Sequence, residues 1–309
     1  MPYPWSAGDI LTATDLNAAI AAAAKFGGTG TDGALSISSG TTTLDFASAQ
    51  YIVKNYTSIS ITSTGVLGFS NPHANGSIAV LKSQGNVTIT SATTPAVDLR
   101  GMGAQGGSAN NPGSNGTSTG ASPHGGYVGA YSTYTTTNAQ NLMGFAWGGR
   151  GVQGATSALT LKTPILFAGA GGAGGNSHSQ FGGTGSRGGG GLYIECKGNL
   201  NITSTFNASG TVGGNGSGSA GGGVDGSGGQ GGGGYVDATV PSTSVSAAGD
   251  GGGGGGGGSI VILYNGTLTA NTATFTVAGG GGGSSPGGGN AGTAGGNGYS
   301  LVQSNSDIC

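Results

Sequence analysis

Glycine supplies 75 of the 309 residues, charged residues make up only 6%, and the formal net charge is −2. No basic or acidic excess points toward nucleic acid or a membrane surface, and two cysteines, Cys196 and Cys309, do not make a disulfide framework. Disorder goes with low hydrophobicity and high net charge, whereas this chain is 34% hydrophobic and gathers its apolar residues into alternating β-branched segments.

The first 26 residues differ from everything after them. Trp5 precedes a Gly-Asp turn, and LTATDLNAAIAAAAKF then reads as a helix from Ala13 to Lys25. Thr12 can cap it, Asp15 suits the positive end of its dipole, and Lys25 suits the negative end. Leu16, Ile20 and Ala23 recur at helical spacing and form a narrow apolar stripe. A helix this short needs something to dock on.

The segment WSAGDILTATDLNAAI resembles the N-terminal segment of the kind Trp-x-x-Gly-Asp-x-Leu-Thr-Ala-x-Asp-Leu-Asn that opens many bacteriophage virion proteins, tail-fibre and tail-spike proteins among them. Trp5, Gly8, Asp9, Leu11, Thr12, Asp15, Leu16 and Asn17 fit that pattern. The resemblance implies that residues 1–26 are an attachment element binding other virion proteins through Trp5, Leu11, Leu16 and Ile20.

Residues 27–34 form a glycine-rich linker, and residues 35–309 a repetitive body. The repeat is clearest over 188–210, GGGGLYIECKGNLNITSTFNASG: a glycine run, an alternating strand, a turn at Gly198, a second alternating strand, and glycine again. Leu192, Ile194 and Cys196 fall on one face of the first strand, and Leu200 and Ile202 continue it after the turn. Aligned on the turn, Val87 and Ile89 match Leu200 and Ile202, while Ile260, Ile262 and Tyr264 match Leu192, Ile194 and Cys196. Weaker copies stand at 56–65 and 158–169, and YSLVQ reads as a last strand. A short unit repeated in this way predicts an all-β, two-strand solenoid-like or β-sandwich body in which each unit buries its apolar edge on the next.

The glycine runs at 221–223, 231–234, 251–258 and 279–283 need a compensation for glycine's conformational cost of about 1 kcal/mol per residue. Extended three-residue-per-turn helices, the polyglycine II form, supply one by packing side by side and bonding their backbones. Flexible linkers are the alternative.

Polar inserts interrupt the repeat at about 108–154, 172–190 and 211–250. The first carries Tyr127, Tyr131, Tyr134, Phe145 and Trp147 among Ser, Asn and Gly, a composition that suits recognition loops and equally suits a satellite core laid over a glycine-rich surface. Glycine runs alternating with such inserts resemble the tip adhesins of T-even-type phage long tail fibres. That resemblance implies a packed polyglycine body whose loops bind a host surface receptor, a glycan or an outer-membrane protein, and fibre proteins of this kind are commonly trimers.

Catalytic and metal signatures are not visible. Glu195 is the only glutamate, and its nearest charge in sequence, Lys197, suggests a solvated ion pair on an outer face. His73, His124 and His178 lack partners at zinc-ligand spacing. No transmembrane run or secretion leader is expected, and Asp45, Asp98, Asp225, Asp237 and Asp250 are scattered with no motif nominating a catalytic pair, so the chain is read as neither membrane-inserted nor an enzyme, with no cofactor and no metal. The leading expectation is a structural virion protein on the particle surface, a tail-fibre or adhesin component. A capsid decoration or head-fibre protein is the alternative, and an ice-binding protein or a polysaccharide depolymerase ranks lower.

Overall fold

The computed structural model describes residues 26–107, 118–119, 166–172, 174, 183–216, 251–285 and 291–305. The expected attachment helix, with Trp5, Leu11, Leu16 and Ile20, lies outside the described residues.

The chain runs through β1 (Ala34–Ile37), β2 (Thr41–Asp45), β3 (Tyr51–Tyr56), β4 (Ser58–Ile61), β5 (Val66–Ser70), β6 (Ile78–Ser83), β7 (Val87–Ile89) and β8 (Val97–Asp98). After β9 (Ser118–Thr119) and β10 (Leu166–Phe167) come β11 (Gly191–Cys196), β12 (Leu200–Ile202), β13 (Thr205–Asn207), β14 (Ser259–Tyr264), β15 (Leu268–Asn271), β16 (Thr274–Thr276) and β17 (Tyr299–Ser304). Apart from the small β9–β10 pair, these strands form three parallel five-stranded sheets, ordered β1-β4-β7-β12-β15, β2-β5-β8-β13-β16 and β3-β6-β11-β14-β17. Successive strands therefore enter the three sheets in rotation. Parallel neighbours need a long connection between them, and here the strands of the other two sheets provide it.

Register explains the core. In the first sheet Leu35, Ile59, Val87, Leu200 and Leu268 occupy one row. Leu67, Val97, Phe206 and Phe275 do so in the second, and Ala79, Leu192 and Ile260 in the third. Apart from Leu268, which is exposed, these inward rows meet in one cluster, with the Phe206 and Phe275 rings 5.2 Å apart. Burying a Leu, Ile or Phe side chain contributes about 1.5–3 kcal/mol, so the stacked rows carry the stability of the body.

The fold is all-β, as the alternation predicts. The sequence alignments reappear as Cα partners: Leu192 with Ile260, Ile194 with Ile262, Cys196 with Tyr264, Leu200 with Val87 and Ile202 with Ile89. The repeating unit, however, has three strands rather than two, and three sheets replace the two of a sandwich. In the three clearest copies the third strand is only two or three residues long and offers a single inward side chain, Val97, Phe206 or Phe275, too little alternation to register. The weaker repeat at 158–169 is not a further unit where it is described. Leu166 and Phe167 pair antiparallel with Thr119 and Ser118, apart from the three large sheets.

At the corner between the third and first sheets, asparagines stack from turn to turn. Asn86 Oδ1 accepts the Asn199 backbone N–H at 2.9 Å, and Asn199 Oδ1 accepts that of Thr267 at 2.9 Å. The third sheet also buries its outer face. Ile78, Leu166, Ala168, Val261 and Leu263 form a second cluster there, with Phe26, Val80, Tyr193 and Leu301 against it.

Candidate functional site

In the third, fourth and fifth turns, the short strands of the second sheet do not pass directly to the third sheet. The chain instead runs outward as a glycine-rich segment and returns as another. The outward segments are 99–107, 168–172, 208–216 and 277–285, and the returning ones 183–190, 251–258 and 291–298. Residues 183–190 and 211–216, expected within the polar inserts, belong to this layer.

Hydrogen bonds hold the layer together at intervals of three residues. Gly210, Gly213 and Gly216 donate to Ala278, Gly281 and Ser284 at 3.0, 2.9 and 2.9 Å. Gly252, Gly255 and Gly258 donate to Gly214, Thr211 and Ala208 at 2.8, 3.1 and 2.8 Å, while Gly254 and Gly257 turn to Thr293 and Gly296. Gly256 donates in yet another direction, to Ala170 at 2.9 Å. One segment thus bonds to different neighbours on successive residues, which satisfies backbone groups that burial would otherwise leave unpaired. The close approach leaves no room for side chains: a Cβ on Gly255 would meet the Arg187 carbonyl, and one on Gly213 the Gly252 carbonyl.

A few polar side chains tie the layer crosswise. The Arg187 guanidinium donates to Gly103 O at 3.1 Å, and its burial lowers its pKa. Ser186 Oγ donates to Thr211 O and accepts the Gly255 N–H at 2.7 Å.

The far end of this layer, away from the sheets, is the candidate site. Gly107 donates to Gly172 (2.9 Å) and accepts from Gly185 (2.8 Å); Gly214 donates to Thr184 (2.7 Å) and accepts from Gly252 (2.8 Å). Gly216 donates to Ser284 (2.9 Å), Gly283 to Gly252 (2.8 Å), and Gly292 to Gly283 (2.9 Å). These residues stand at or next to the points where the chain leaves for and returns from segments 175–182, 217–250 and 286–290, and where it leaves for 108–117 on the way to β9. Both described flanks of 120–165 lie near the sheets instead: Ser118 and Thr119 pair antiparallel with Phe167 and Leu166, and the Phe167 N–H donates to Ser259 Oγ at 2.8 Å. Tyr127, Tyr131, Tyr134, Phe145 and Trp147 lie outside the described residues, on a stretch whose described flanks, β9 and β10, pair with each other beside the third sheet rather than at this end.

Elsewhere the described polar groups hold structure. Glu195 is buried rather than solvated, and its partner is Lys82 at 3.1 Å, not Lys197. Asp98 binds the Arg100 guanidinium through both oxygens, at 2.9 and 2.6 Å, and raises its pKa. Asp45 accepts the Ala47 N–H at 2.8 Å and the Asn71 amide at 3.1 Å, which together lower its pKa. Asp32 pairs with Lys54 at 3.6 Å. Among the described residues no three His, Cys, Asp or Glu side chains are grouped to hold a metal ion, and no helix is long and apolar enough to cross a membrane. Comparison with protein-family models, curated proteins and solved structures found no match.

Proposed function

We propose that this chain is a bacteriophage virion protein of the tail-fibre or adhesin kind, which presents host-recognition segments at the far end of a rigid β-body. In this reading the three parallel sheets are a three-faced solenoid, and the glycine segments are polyglycine II helices extending from it. The period-three bonding supports the helices, because three residues per turn repeats a donor's direction at every third position. Seven steps from residue 251 to 258 would carry the chain about 22 Å at about 3.1 Å per residue.

The observation that carries the functional reading is the convergence of the chain's departures for and returns from 175–182, 217–250 and 286–290 on one hydrogen-bonded end, with the aromatic stretch 120–165 mounted separately on the β9–β10 pair beside the third sheet. Recognition segments mounted on a rigid scaffold combine variable contact chemistry with a low ordering cost. Tyr127, Tyr131, Tyr134, Phe145 and Trp147 would offer rigid stacking faces to a glycan or an apolar receptor edge. Attachment to other virion proteins is assigned to residues 1–26, by the resemblance of their sequence.

Two experiments test the reading. Gold-labelled antibody should mark the distal tail of the particle that carries the protein, whereas label over the capsid would make it a decoration or head-fibre protein. Tyr131→Ala and Trp147→Ala should reduce binding to host cells at least tenfold without changing the melting temperature of the body. Unchanged binding would remove those residues from the site.

A further inference from the structure

The chain enters the body across the outer face of the third sheet. There Asn55, Lys82, Glu195, Leu263 and Gln303 form one row over β3, β6, β11, β14 and β17. The Thr29 N–H donates to Asn55 Oδ1 at 3.3 Å, and the Gly27 N–H to Glu195 Oε2 at 3.0 Å. Gly28, between them, lies so close to Lys82 that a Cβ would strike that side chain. Read backward from Thr29, the chain therefore steps from β3 over β6 to β11, and Phe26 packs in the cluster that holds Val261 and Leu263 of β14. The chain upstream of Phe26 is aimed across β14 toward β17.

On that side the face is apolar and uncharged. Val53, Val80, Tyr193, Val261 and Leu301 form the neighbouring row, and β14 and β17 carry no charged residue. β10 lies at the starts of these strands, where the Ser259 hydroxyl donates to the Phe167 carbonyl at 2.8 Å. The two ends of the row differ: Val53, on the β3 edge, is 53% exposed, whereas Leu301, on the β17 edge, is partly buried.

We propose that the outer face of β14 and β17 is the seat of residues 13–25 of the same chain, laid down across the strands as the helix their sequence predicts. No charge falls between Leu16 and Ala24, so a neutral helix face meets a neutral sheet face. The rise from Phe26 to Ile20 is about 9 Å at about 1.5 Å per residue, close to the about 10 Å that two strand spacings put between β11 and β17. Ile20 thereby comes down beside Leu301, while Trp5, Leu11 and Leu16 extend past the last turn. A segment tethered this closely meets the face at an effective concentration of about millimolar, which favours it over a second copy. The inference does not rest on the virion reading; within that reading it leaves Trp5, Leu11 and Leu16 for attachment and spends Ile20 on the body.

Disulfide trapping in the full chain tests it, in a Cys309→Ser background where the remaining native thiol, Cys196, is buried. Ile20→Cys with Leu301→Cys should close an intramolecular disulfide under mild oxidation, so that the fragment cut off by trypsin after Lys25 separates only on reduction. Ile20→Cys with Val53→Cys, two strands from β11 on the opposite side, should close at least tenfold more slowly. Equal trapping at both positions, no trapping at Leu301, or a disulfide between two chains would each overturn the proposal. Ile20→Asp in the otherwise unaltered chain gives a second readout: cleavage after Lys25 should speed up at least tenfold, with the far-UV circular dichroism of the body unchanged. An unchanged cleavage rate would overturn the proposal as well.

Discussion

Glu195 and Lys82 occupy one register position on neighbouring strands, 113 residues apart in sequence, with Oε1 3.1 Å from the ammonium. The other carboxylate oxygen accepts the Gly27 N–H at 3.0 Å. Tyr193, on the same face, has its pKa raised by burial first and by the Glu195 carboxylate second. The carboxylate therefore fastens the chain entering the first turn to the middle of the third sheet. Glu195→Gln would leave the ammonium, partly buried, without its counter-charge. Denaturant unfolding should show a loss of about 2 kcal/mol, below the 3–5 kcal/mol of a fully buried pair because Lys82 keeps some solvent.

The glycine layer predicts opposite outcomes for two chemically identical changes. A Cβ at Gly255 would strike backbone atoms of Arg187 and Gly188, which cannot move without breaking the layer, whereas one at Gly281 meets nothing within 4 Å. Gly255→Ala should cost more than about 4 kcal/mol, in the range reserved for overpacked or strained sites. Gly281→Ala should be neutral, or stabilising by about 0.4–1 kcal/mol through the unfolded chain. Thermal melts of the two variants side by side decide the matter.

Cys196 lies in the core, and burial pushes its thiol up to about 11. It should ignore thiol reagents in the native protein and react on unfolding, which a Cys309→Ser background would isolate. The unfolded thiol ionises from about pH 9 while the folded one resists until about 11. Stability is therefore whole below pH 9 and falls between the two values. Comparison with Cys196→Ala over that window should show a difference growing to about 3 kcal/mol, at about 1.4 kcal/mol per pH unit.

The asparagine corner makes a smaller, additive claim. Asn86→Ala and Asn199→Ala each remove one side-chain acceptor from a backbone N–H of the next turn. Each should cost about 1 kcal/mol in urea unfolding, with m unchanged because the body stays compact.

Legibility followed the range of the interactions. Leu192, Ile194 and Cys196 alternate within one strand, so their inward face and their match to Ile260, Ile262 and Tyr264 could be read along the chain, as could the last strand at YSLVQ. The third strand could not, because Phe206 and Phe275 each stand alone between polar residues. The true partner of Glu195 was hidden for a related reason: sequence offers Lys197, two positions on, while a parallel sheet offers Lys82, one turn below.

The sequence by itself determined the all-β class, the turn-to-turn register and the need of the glycine runs for backbone partners, since periodicity and composition are local properties of the chain. Tertiary structure alone decided that three sheets share the core, that Glu195 is buried against Lys82, and that the ends of the glycine segments gather at one place. Those outcomes depend on which turns stack on which, and stacking joins residues a hundred positions apart through backbone hydrogen bonds that carry no signature in the side chains.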